Sequence, residues 1–453
     1  MFHVAPLLCL GRLRAVLRLA IVVFSLTLLP KLAAAERLRI EVGGAAFRPY
    51  PVAAPDLSLI GPMSASLTTT VQQLTVLLQA DVDLARSLVL VPPKTYLGAA
   101  QESPTTPVFL NWANVGASGL VRGSVEGDNR RLTVRLRFFE VASQRELLSR
   151  SCSEAPDQAD RCVHRFLDEL VALLTGEKGI FSSRIAYVLR QGRGKQLGVC
   201  DLDGGHPAAL TDNGSLNLLP AWDFGGRGLL FTSYQQGGAD LYRMALSPRG
   251  PPQLVSRQRG LNTGAALSPD GSRIALTLSV DGNTEIYTLG VDGKDLRRLT
   301  DSWGQDVSPT WSPDGSRIAF VSSRSGQPHI YVMSREGGQP RRLTFKGTYN
   351  QEPDWSPRAD GQIAFTARDE QYKYDLFLTH PDSGEITRLT QDAGHNQSPS
   401  FSPDGHHIVF TSTRAGDGQA SLWIIDEDGS NPRRLPLPPG AYESPTWSPR
   451  LAE

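Results

Sequence analysis

The chain has 453 residues, with 46 Lys and Arg against 46 Asp and Glu, so its formal net charge is zero. This balance argues against nucleic acid as a partner, because proteins that bind the phosphate backbone carry a strongly basic domain or stripe. The 43 Gly and 32 Pro against only 4 Met favour many tight turns over long helices. The length suits two or three domains built mainly from short strands.

The first 35 residues have the order of an export signal. Basic residues up to Arg18 precede an apolar run over residues 19–29, and Ala33-Ala34-Ala35 follows. A positive start, an apolar middle and small residues before the cut are typical of a Sec signal peptide. A retained membrane anchor is the alternative, although the apolar run is short for a span. We predict cleavage after Ala35.

Cleavage there would leave 42 basic against 46 acidic residues and three cysteines. Cys152 and Cys162 flank a short loop and would bond if their Cα atoms were close enough, but two free thiols are the equal alternative. Cys200 would then stay single. The cysteine spacing fits no zinc motif, and we predict no metal and no cofactor.

A repeat of 44 to 46 residues dominates the second half of the chain. Its clearest form is Trp311-Ser-Pro-Asp-Gly followed by Arg-Ile-Ala-Phe. The bulky residue before the turn recurs at Trp222, Leu267, Trp311, Trp355, Phe401 and Trp447. A period of this size predicts one four-stranded blade per repeat of a β-propeller.

The two ends of the repeat region complement each other. Residues 185–211 supply a second, third and fourth strand without an inner one, whereas residues 445–449 form an inner strand with nothing after it. We therefore predict six blades, the last a composite closed by 445–449, because closure removes an edge open to aggregation. Asp-Gly pairs at Asp203, Asp292 and Asp428 lack the further ligands of an EF-hand and are interpreted as hairpin turns.

The region before the repeats has a different pattern. Residues 38–42 alternate as a short strand, residues 66–86 and 157–175 predict helices, and residues 118–125 and 132–141 predict a hairpin. Residues 43–62 are rich in Gly, Pro and Ala and are interpreted as irregular. The fold class is thus α+β multidomain, a six-bladed β-propeller (179–453) preceded by a small α/β domain (36–178) and a signal peptide (1–35).

Three segments resemble the TolB family, periplasmic propellers of the Tol-Pal system. They are Asn111-Trp-Ala-Asn-Val-Gly-Ala, Val121-Arg-Gly-Ser-Val and the junction from Leu174-Thr-Gly-Glu-Lys-Gly to Val188. The repeat motifs, including Pro340-Arg-Arg-Leu-Thr, are shared with many other propellers and are less specific. The chain departs from the family pattern at Asp223-Phe-Gly-Gly, at Leu267 and in the longer turn at Arg358.

This resemblance implies a periplasmic, monomeric, protein-binding scaffold that links inner-membrane Tol proteins to Pal at the outer membrane and supports membrane integrity and invagination during division. A TolA-like inner-membrane protein would bind the N-terminal segment. The segment is Glu36, Arg37, Leu38, Arg39, Ile40, Glu41 and Val42. An ordinary edge strand is the other interpretation of these residues.

A Pal-like lipoprotein, which would hold the chain peripherally at the outer membrane, is implied to bind the propeller funnel. Loops that enter each inner strand share one rim, and their polar and aromatic residues are typical of protein interfaces. The predicted contact residues are Asn217, Asn262, Thr263, Gln305, Asp306, Tyr349, Asn350, Gln351, Glu352, His395, Asn396, Gln397, Tyr442 and Glu443. Solvated turns are the alternative.

Two other functions are weighed against this hypothesis. A peptidase would need a hydrolase domain and a Gly-x-Ser-x-Gly elbow, which we do not find. A sugar lyase would need a cluster of metal-binding His residues in the funnel, where the sequence places only His395. We therefore predict that the chain is not an enzyme, with a ligand-sensing propeller as the remaining alternative.

Overall fold

The computed structural model describes residues 48–61, 65–96, 102–368 and 370–451. The predicted signal peptide, its cleavage site and the predicted strand at residues 38–42 lie outside the described residues. Within the described residues, none of the helices has the length and apolar character needed to cross a membrane.

The α/β domain is a mixed sheet with helices packed against it. Its strands are β1 (Tyr50–Ala53), β2 (Ser58–Ile60), β3 (Leu88–Leu90), β4 (Gly119–Gly127), β5 (Leu132–Glu140) and β6 (Arg145–Glu154). The order along the sheet is β3-β1-β4-β5-β6, and β2 also pairs with β4. The predicted hairpin is β4 with β5, whose Leu132, Val134, Leu136 and Phe138 are all buried.

The prediction that residues 43–62 are irregular is wrong where the structure describes them. β1 pairs in parallel with β3, with Tyr50 opposite Leu88, and β2 pairs in parallel with β4, with Ser58 opposite Ser124. Parallel partners are far away in sequence, so the local composition of this segment did not indicate them.

Three helices complete the domain: α1 (Ala65–Leu84), α2 (Phe109–Asn114) and α3 (Asp160–Thr175). The long helices α1 and α3 were predicted, with α3 beginning three residues later than expected. Helix α3 buries one stripe that includes Val163, Phe166 and Leu170, as its helical period requires. It ends at Gly176, whose φ of 85° allows a left-handed cap.

Cys152 in β6 and Cys162 in α3 form a disulfide, with their Cα atoms 5.6 Å apart. The bond ties the edge strand of the sheet to the first turn of the last helix. Cys200 is free and buried, and burial raises the pKa of its thiol well above the usual range.

Six four-stranded antiparallel sheets follow, and they are the blades of the propeller. Blade 1 is β10 (Asn217–Trp222), β11 (Gly228–Ser233), β12 (Asp240–Ala245) and β13 (Gln253–Ser256); blade 2 is β14 (Asn262–Leu267), β15 (Arg273–Leu278), β16 (Glu285–Gly290) and β17 (Arg297–Arg298). Blade 3 is β18 (Asp306–Trp311), β19 (Arg317–Ser322), β20 (His329–Ser334) and β21 (Gly337–Arg342); blade 4 is β22 (Asn350–Trp355), β23 (Ile363–Arg368), β24 (Tyr374–Thr379) and β25 (Ile386–Arg388). Blade 5 is β26 (Asn396–Phe401), β27 (His407–Ser412), β28 (Ser421–Asp426) and β29 (Arg433–Arg434).

Blade 6 is the predicted composite. Its inner strand β30 (Ala441–Trp447) comes from the end of the chain and pairs with β7 (Arg184–Gln191), which continues to β8 (Gly194–Asp201) and β9 (Ala208–Ala209). The prediction of six blades with a closed ring is therefore confirmed.

The tryptophan anchors connect neighbouring blades. The indole of Trp222 donates to the carbonyl of Thr446 at 3.0 Å, and that of Trp311 donates to the carbonyl of Ala266 at 3.1 Å. Each indole thus buries its ring between blades and satisfies its only polar group across the same contact.

The Arg-Leu-Thr motif of the repeat holds the outer strand to the third strand. In blade 2, Arg298 and Thr300 both bond the buried carboxylate of Glu285, with Thr300 Oγ1 at 2.6 Å. In blade 4, Arg388 and Thr390 bond Asp375 in the same way. The motif therefore has a structural role in the blade, which explains why its presence in the sequence indicates the fold.

Candidate functional site: the open rim of the propeller

The strand registers define two rims. In blade 1, the first residue of the inner strand, Asn217, lies opposite Ser233 at the end of β11, which in turn lies opposite Asp240 at the start of β12. These strand ends and the loops that join them form the open rim. The Ser-Pro-Asp-Gly turns and the turns after each third strand form the covered rim.

The α/β domain contacts the covered rim. Arg86, just after α1, forms an ion pair with Glu427 in the turn after β28, and Arg433 Nη2 lies 3.7 Å from Asp83 Oδ2. On blade 6, the ring of His206 lies 2.6 Å from the carbonyl oxygen of Asp157. Since the α/β domain contacts this rim, the opposite rim is the candidate surface for a partner.

The prediction of surface contacts is wrong for five polar residues at the starts of the inner strands. Their side chains are buried. They are Asn217, Asn262, Asp306, Asn350 and Asn396. The amide of Asn262 donates to the carbonyls of Ala239 and Gln258 and accepts from Ser256 Oγ at 2.8 Å. A polar residue at this position closes the loop that enters the blade, and its burial keeps its side chain away from a partner.

The prediction of a surface contact is also wrong for Tyr442. Its ring is buried edge-on against Tyr187 at a centroid distance of 5.2 Å, and its hydroxyl donates to the carbonyl of Pro438. The carboxylate of Glu352 accepts from Thr366 Oγ1 and from the backbone of Ser398, and so joins blades 4 and 5. These side chains hold the ring together.

Two further predicted contacts are half-buried and paired. Thr263 Oγ1 accepts from Thr232 Oγ1 at 3.1 Å, and Glu443 forms ion pairs with Lys195 and with Arg190. The remaining predicted residues reach solvent to different extents. Gln305 and His395 are exposed, whereas Tyr349, Gln351 and Gln397 are half-buried.

An aromatic cluster lies on the open rim of blades 4 and 5. The guanidinium of Arg368 lies over the rings of Tyr349 and Tyr372, at 5.9 and 5.1 Å from their centroids. Tyr349 contacts Tyr374 at 5.2 Å, and Tyr374 contacts His395 at 5.6 Å. We call these five residues the rim cluster. Rigid aromatic rings with an Arg are the side chains that dominate binding energy in protein interfaces.

Two exposed aromatic residues extend this surface along the neighbouring loops. Trp303 is 78% exposed in the loop that enters blade 3, and Phe345 is 70% exposed in the loop that enters blade 4. Tyr372 of the rim cluster is 72% exposed. A single exposed ring is ordinary on a protein surface, whereas several large rings on one rim are typical of a surface that another molecule covers.

Three exposed rim residues were not predicted, although one signal was available: Trp303, Phe345 and Tyr372. The residue three positions before the inner strand is Gly214, Arg259, Trp303, Gly347 and Ala393 in blades 1 to 5. Since small or polar residues satisfy the fold at this position in four blades, the tryptophan in blade 3 serves no repeat-wide packing role.

A central channel of about 500 Å³ is lined by all six inner strands. Each strand bends at its third position or near it, where non-glycine residues such as Leu219, Ser308 and Ser398 adopt φ near 50°. The channel wall includes Asp354, whose pKa is raised to about 7 by burial, against the opposing hydrogen bonds from Phe401 N and Ser400. The lining runs from the middle of the inner strands to the Ser-Pro turns of the covered rim.

These features define a class of protein: a six-bladed β-propeller that carries an α/β domain on one rim and an aromatic surface on the other. Residues 171–451 match the family model described as the TolB beta propeller domain, and residues 38–147 match the TolB amino-terminal domain. The chain belongs to the TolB family.

Individual relatives agree with this assignment. The Tol-Pal system protein TolB of Anaeromyxobacter dehalogenans (strain 2CP-1) is 40% identical over 296 residues, which are 65% of this chain and 67% of that protein. The protein of the same name from Myxococcus xanthus (strain DK1622) is 42% identical over 227 residues, 48% of this chain and 50% of its own. The crystal structure of TolB from Acinetobacter baumannii has a TM-score of 0.73 at 25% identity and covers 89% of this chain and 97% of that one.

The resemblance found in the sequence is therefore confirmed, and the chain is a Tol-Pal system protein. Its relatives are named as components of that system and not for a reaction. On the ground of these names, the prediction that the chain is not an enzyme is confirmed as well.

Proposed function

We propose that this chain is a periplasmic protein-binding scaffold whose open rim binds a Pal-like lipoprotein. Residues 36–42 would bind a TolA-like inner-membrane protein, so that the scaffold links the inner membrane to the outer membrane and supports envelope integrity and invagination during division. The chain would act as a monomer and would be held at the outer membrane only through its lipoprotein partner.

The observation that carries this proposal is the exposed aromatic surface on the open rim. Trp303 and Phe345 together with the rim cluster supply large apolar area, directed hydrogen bonds and a guanidinium within a few neighbouring loops. An interface of ordinary size depends on a few such anchors surrounded by polar residues. Exposed Gln305 and half-buried Gln351 and Gln397 provide that polar surrounding.

The described part of the α/β domain lies apart from the open rim. The α/β domain lies on the covered rim through Arg86, Asp83 and Asp157, so a lipoprotein on the open rim would not compete with it for space. A scaffold that links two membranes must bind both partners at once, and an open rim free of the α/β domain is compatible with that role.

The test measures binding of the soluble domain of Pal from the same organism to the chain from residue 36 onward, by calorimetry. We expect the Trp303→Ser and Phe345→Ser double variant to bind at least tenfold more weakly, because two aromatic anchors are lost. Phe224→Ser is the matched control, since Phe224 is 68% exposed on the covered rim. Deletion of residues 36–42 should abolish capture of the periplasmic part of a TolA-like protein and leave Pal binding unchanged.

Absence of Pal binding by the wild type would refute the proposal. Equal weakening by Phe224→Ser would move the contact away from the open rim. A concentration-dependent dimer that the double variant abolishes, measured by light scattering, would show that a second copy covers the aromatic surface.

A further inference from the structure

His164 lies between the two parts of the molecule, one turn into helix α3. Its side chain is 3% exposed. The Nδ1 atom lies 2.8 Å from Oδ2 of Asp81 in helix α1, so one ring nitrogen has a carboxylate partner inside the α/β domain. The other nitrogen, Nε2, faces the propeller.

Nε2 of His164 has no hydrogen-bond partner among the residues that the structure describes. Oδ2 of Asp203, in the turn between β8 and β9, lies 3.7 Å from it, which is too long for a hydrogen bond. Asp160, in the first turn of α3, places a carboxylate oxygen beside them. Asp160, His164 and Asp203 each offer one donor atom, and these three atoms lie within 4.8 Å of one another. A buried, unpartnered nitrogen is thus directed at two carboxylates.

The neighbouring His206 is differently placed, although it also shares a group with Asp160. Its Nδ1 lies 2.7 Å from Oδ2 of Asp201, and its Nε2 lies 2.6 Å from the carbonyl oxygen of Asp157. Both ring nitrogens therefore have partners already. Of the two histidines, only His164 offers a free ligand atom to the space between the carboxylates.

This arrangement is the one that proteins use to hold a transition-metal ion. A ligating histidine donates its second ring N–H to a carboxylate, which fixes its tautomer and increases its basicity; Asp81 is placed to be that carboxylate. One imidazole and two carboxylates form a donor set that suits zinc. Ligands at the usual zinc distances lie about 3.3 Å apart in a tetrahedron, close to the 3.7 Å between His164 and Asp203.

Access from solvent is also present. Asp160 and Asp203 keep 20% and 27% of their side chains exposed. A cavity of about 590 Å³ between α3 and the propeller reaches His164, although neither carboxylate lines it. A hydrated ion could therefore reach the group past these two partly exposed carboxylates and keep one water as its fourth ligand.

We propose that Asp160, His164 and Asp203 bind a divalent transition-metal ion, zinc by its ligand set, and that the ion clamps the α/β domain to the covered rim of the propeller. Two of the ligands belong to α3 and the third to blade 6. Loss of the ion would therefore loosen the contact between the two parts without unfolding either. This proposal does not depend on any partner at the open rim.

The test uses the chain from residue 36 onward, with any affinity tag removed and the protein treated with a chelator. Equilibrium dialysis and elemental analysis measure bound Zn²⁺, Mn²⁺, Ca²⁺ and Mg²⁺ in separate arms. We expect one equivalent of zinc, a higher melting temperature on its addition, and slower amide exchange at residues 201–206. Co²⁺ in its place should give the visible absorption of a tetrahedral site.

Asp160→Asn and Asp203→Asn are the test variants, since both carboxylates are partly exposed and their loss is compatible with folding. Each should bind zinc at least tenfold more weakly and lose the thermal shift. Asp157→Asn is the matched control, because its exposed carboxylate lies in the same segment outside the group. One equivalent of zinc bound by both variants, as by the wild type, would overturn the proposal. Absence of zinc binding by the wild type would also overturn it, and His164 would then be a protonated side chain between carboxylates. Preference for Ca²⁺ would refute the assignment of the ion.

Discussion

Trp447, in the last strand of the chain, donates its indole N–H to Oγ of Ser183, 264 residues earlier, at 2.8 Å. Both residues are buried. The adjacent Ser448 donates its backbone N–H to the carbonyl of Arg184, and its Oγ accepts from the backbone N–H of Arg184. The end of the chain therefore does more than lie beside the first propeller strand. It completes the core of blade 6 and satisfies polar groups that would otherwise be buried alone.

A double-mutant cycle on this pair measures the closure. Trp447→Phe keeps most of the ring but loses the N–H, and Ser183→Ala loses the acceptor. Each single variant should lower the free energy of unfolding by about 1–3 kcal/mol, because it leaves one buried polar group unpaired. The pair should show a coupling energy of about 0.5–1.5 kcal/mol, measured by urea unfolding. Strictly additive losses would show that the hydrogen bond contributes nothing.

The asparagines at the starts of the inner strands are expected to act on stability and not on partner binding. Asn262→Ala removes an amide that bonds Ala239, Gln258 and Ser256 inside the blade. We expect a loss of about 2–4 kcal/mol in the free energy of unfolding, because several buried backbone groups lose their partners.

Gln305→Ala, on the exposed part of the same rim, serves as the control for Asn262 and should change stability by no more than about 0.5 kcal/mol. Thermal unfolding and Pal binding are measured on both variants. If Asn262→Ala weakened Pal binding while its melting temperature stayed at the wild-type value, the structural role assigned to Asn262 would be wrong.

The disulfide gives a third prediction. Replacement of both Cys152 and Cys162 by Ser opens a loop with a sequence separation of 10. The unfolded chain gains conformational freedom, so the α/β domain should lose about 2–4 kcal/mol of stability. Cys200→Ser is the control for a thiol outside the bond. A wild-type protein whose melting temperature is insensitive to a reductant that demonstrably cleaves the bond would contradict this expectation.

The parts of the fold that could be predicted are those with local signals. Each blade repeats its own turn, anchor and outer-strand motif, so the period indicated the four-stranded blades. The complementary ends of the repeat region then indicated six of them, closed by residues 445–449. The parallel strands β1 and β2 could not be predicted in this way, because their partners Leu88 and Ser124 lie far along the chain. Their stability comes from tertiary pairing and not from local propensity.

The position of the candidate site was predicted better than its chemistry. The loops before the inner strands do form one rim, as the repeat requires. Polar residues there were interpreted as contacts, yet Asn262 and Asn396 satisfy loop backbones inside the protein. A sequence gives the residue type but not the direction of its side chain, so an amide that closes a loop and an amide that binds a partner look alike. The exposed Trp303 differs because its position has no packing role in the other blades.

The pKa values of Asp354 and Asp314 are shifted in opposite directions, so the two residues predict opposite effects of pH on stability. Burial raises the pKa of Asp354 in the channel wall to about 7, whereas hydrogen bonds from Ser312 and Ser316 lower that of Asp314 to about 2. The unfolded chain has ordinary values for both. The folded protein therefore binds the Asp354 proton more tightly than the unfolded chain does. This difference stabilises the folded state below pH 4, and the stabilisation is lost as the pH rises to 7.

Asp354→Asn should therefore be more stable than the wild type at pH 8, by about 1–4 kcal/mol, because it never carries the buried charge and can still accept the hydrogen bond from Phe401. The difference should shrink toward pH 4, where the wild-type carboxyl is protonated. Asp314→Asn should show the opposite sign: less stable than the wild type at pH 7, with the difference fading as the pH falls from 4 to 2. Melting temperatures across this range measure both variants. Parallel profiles for Asp354→Asn and the wild type between pH 4 and 8 would show that the channel carboxylate ionises without cost and is hydrated.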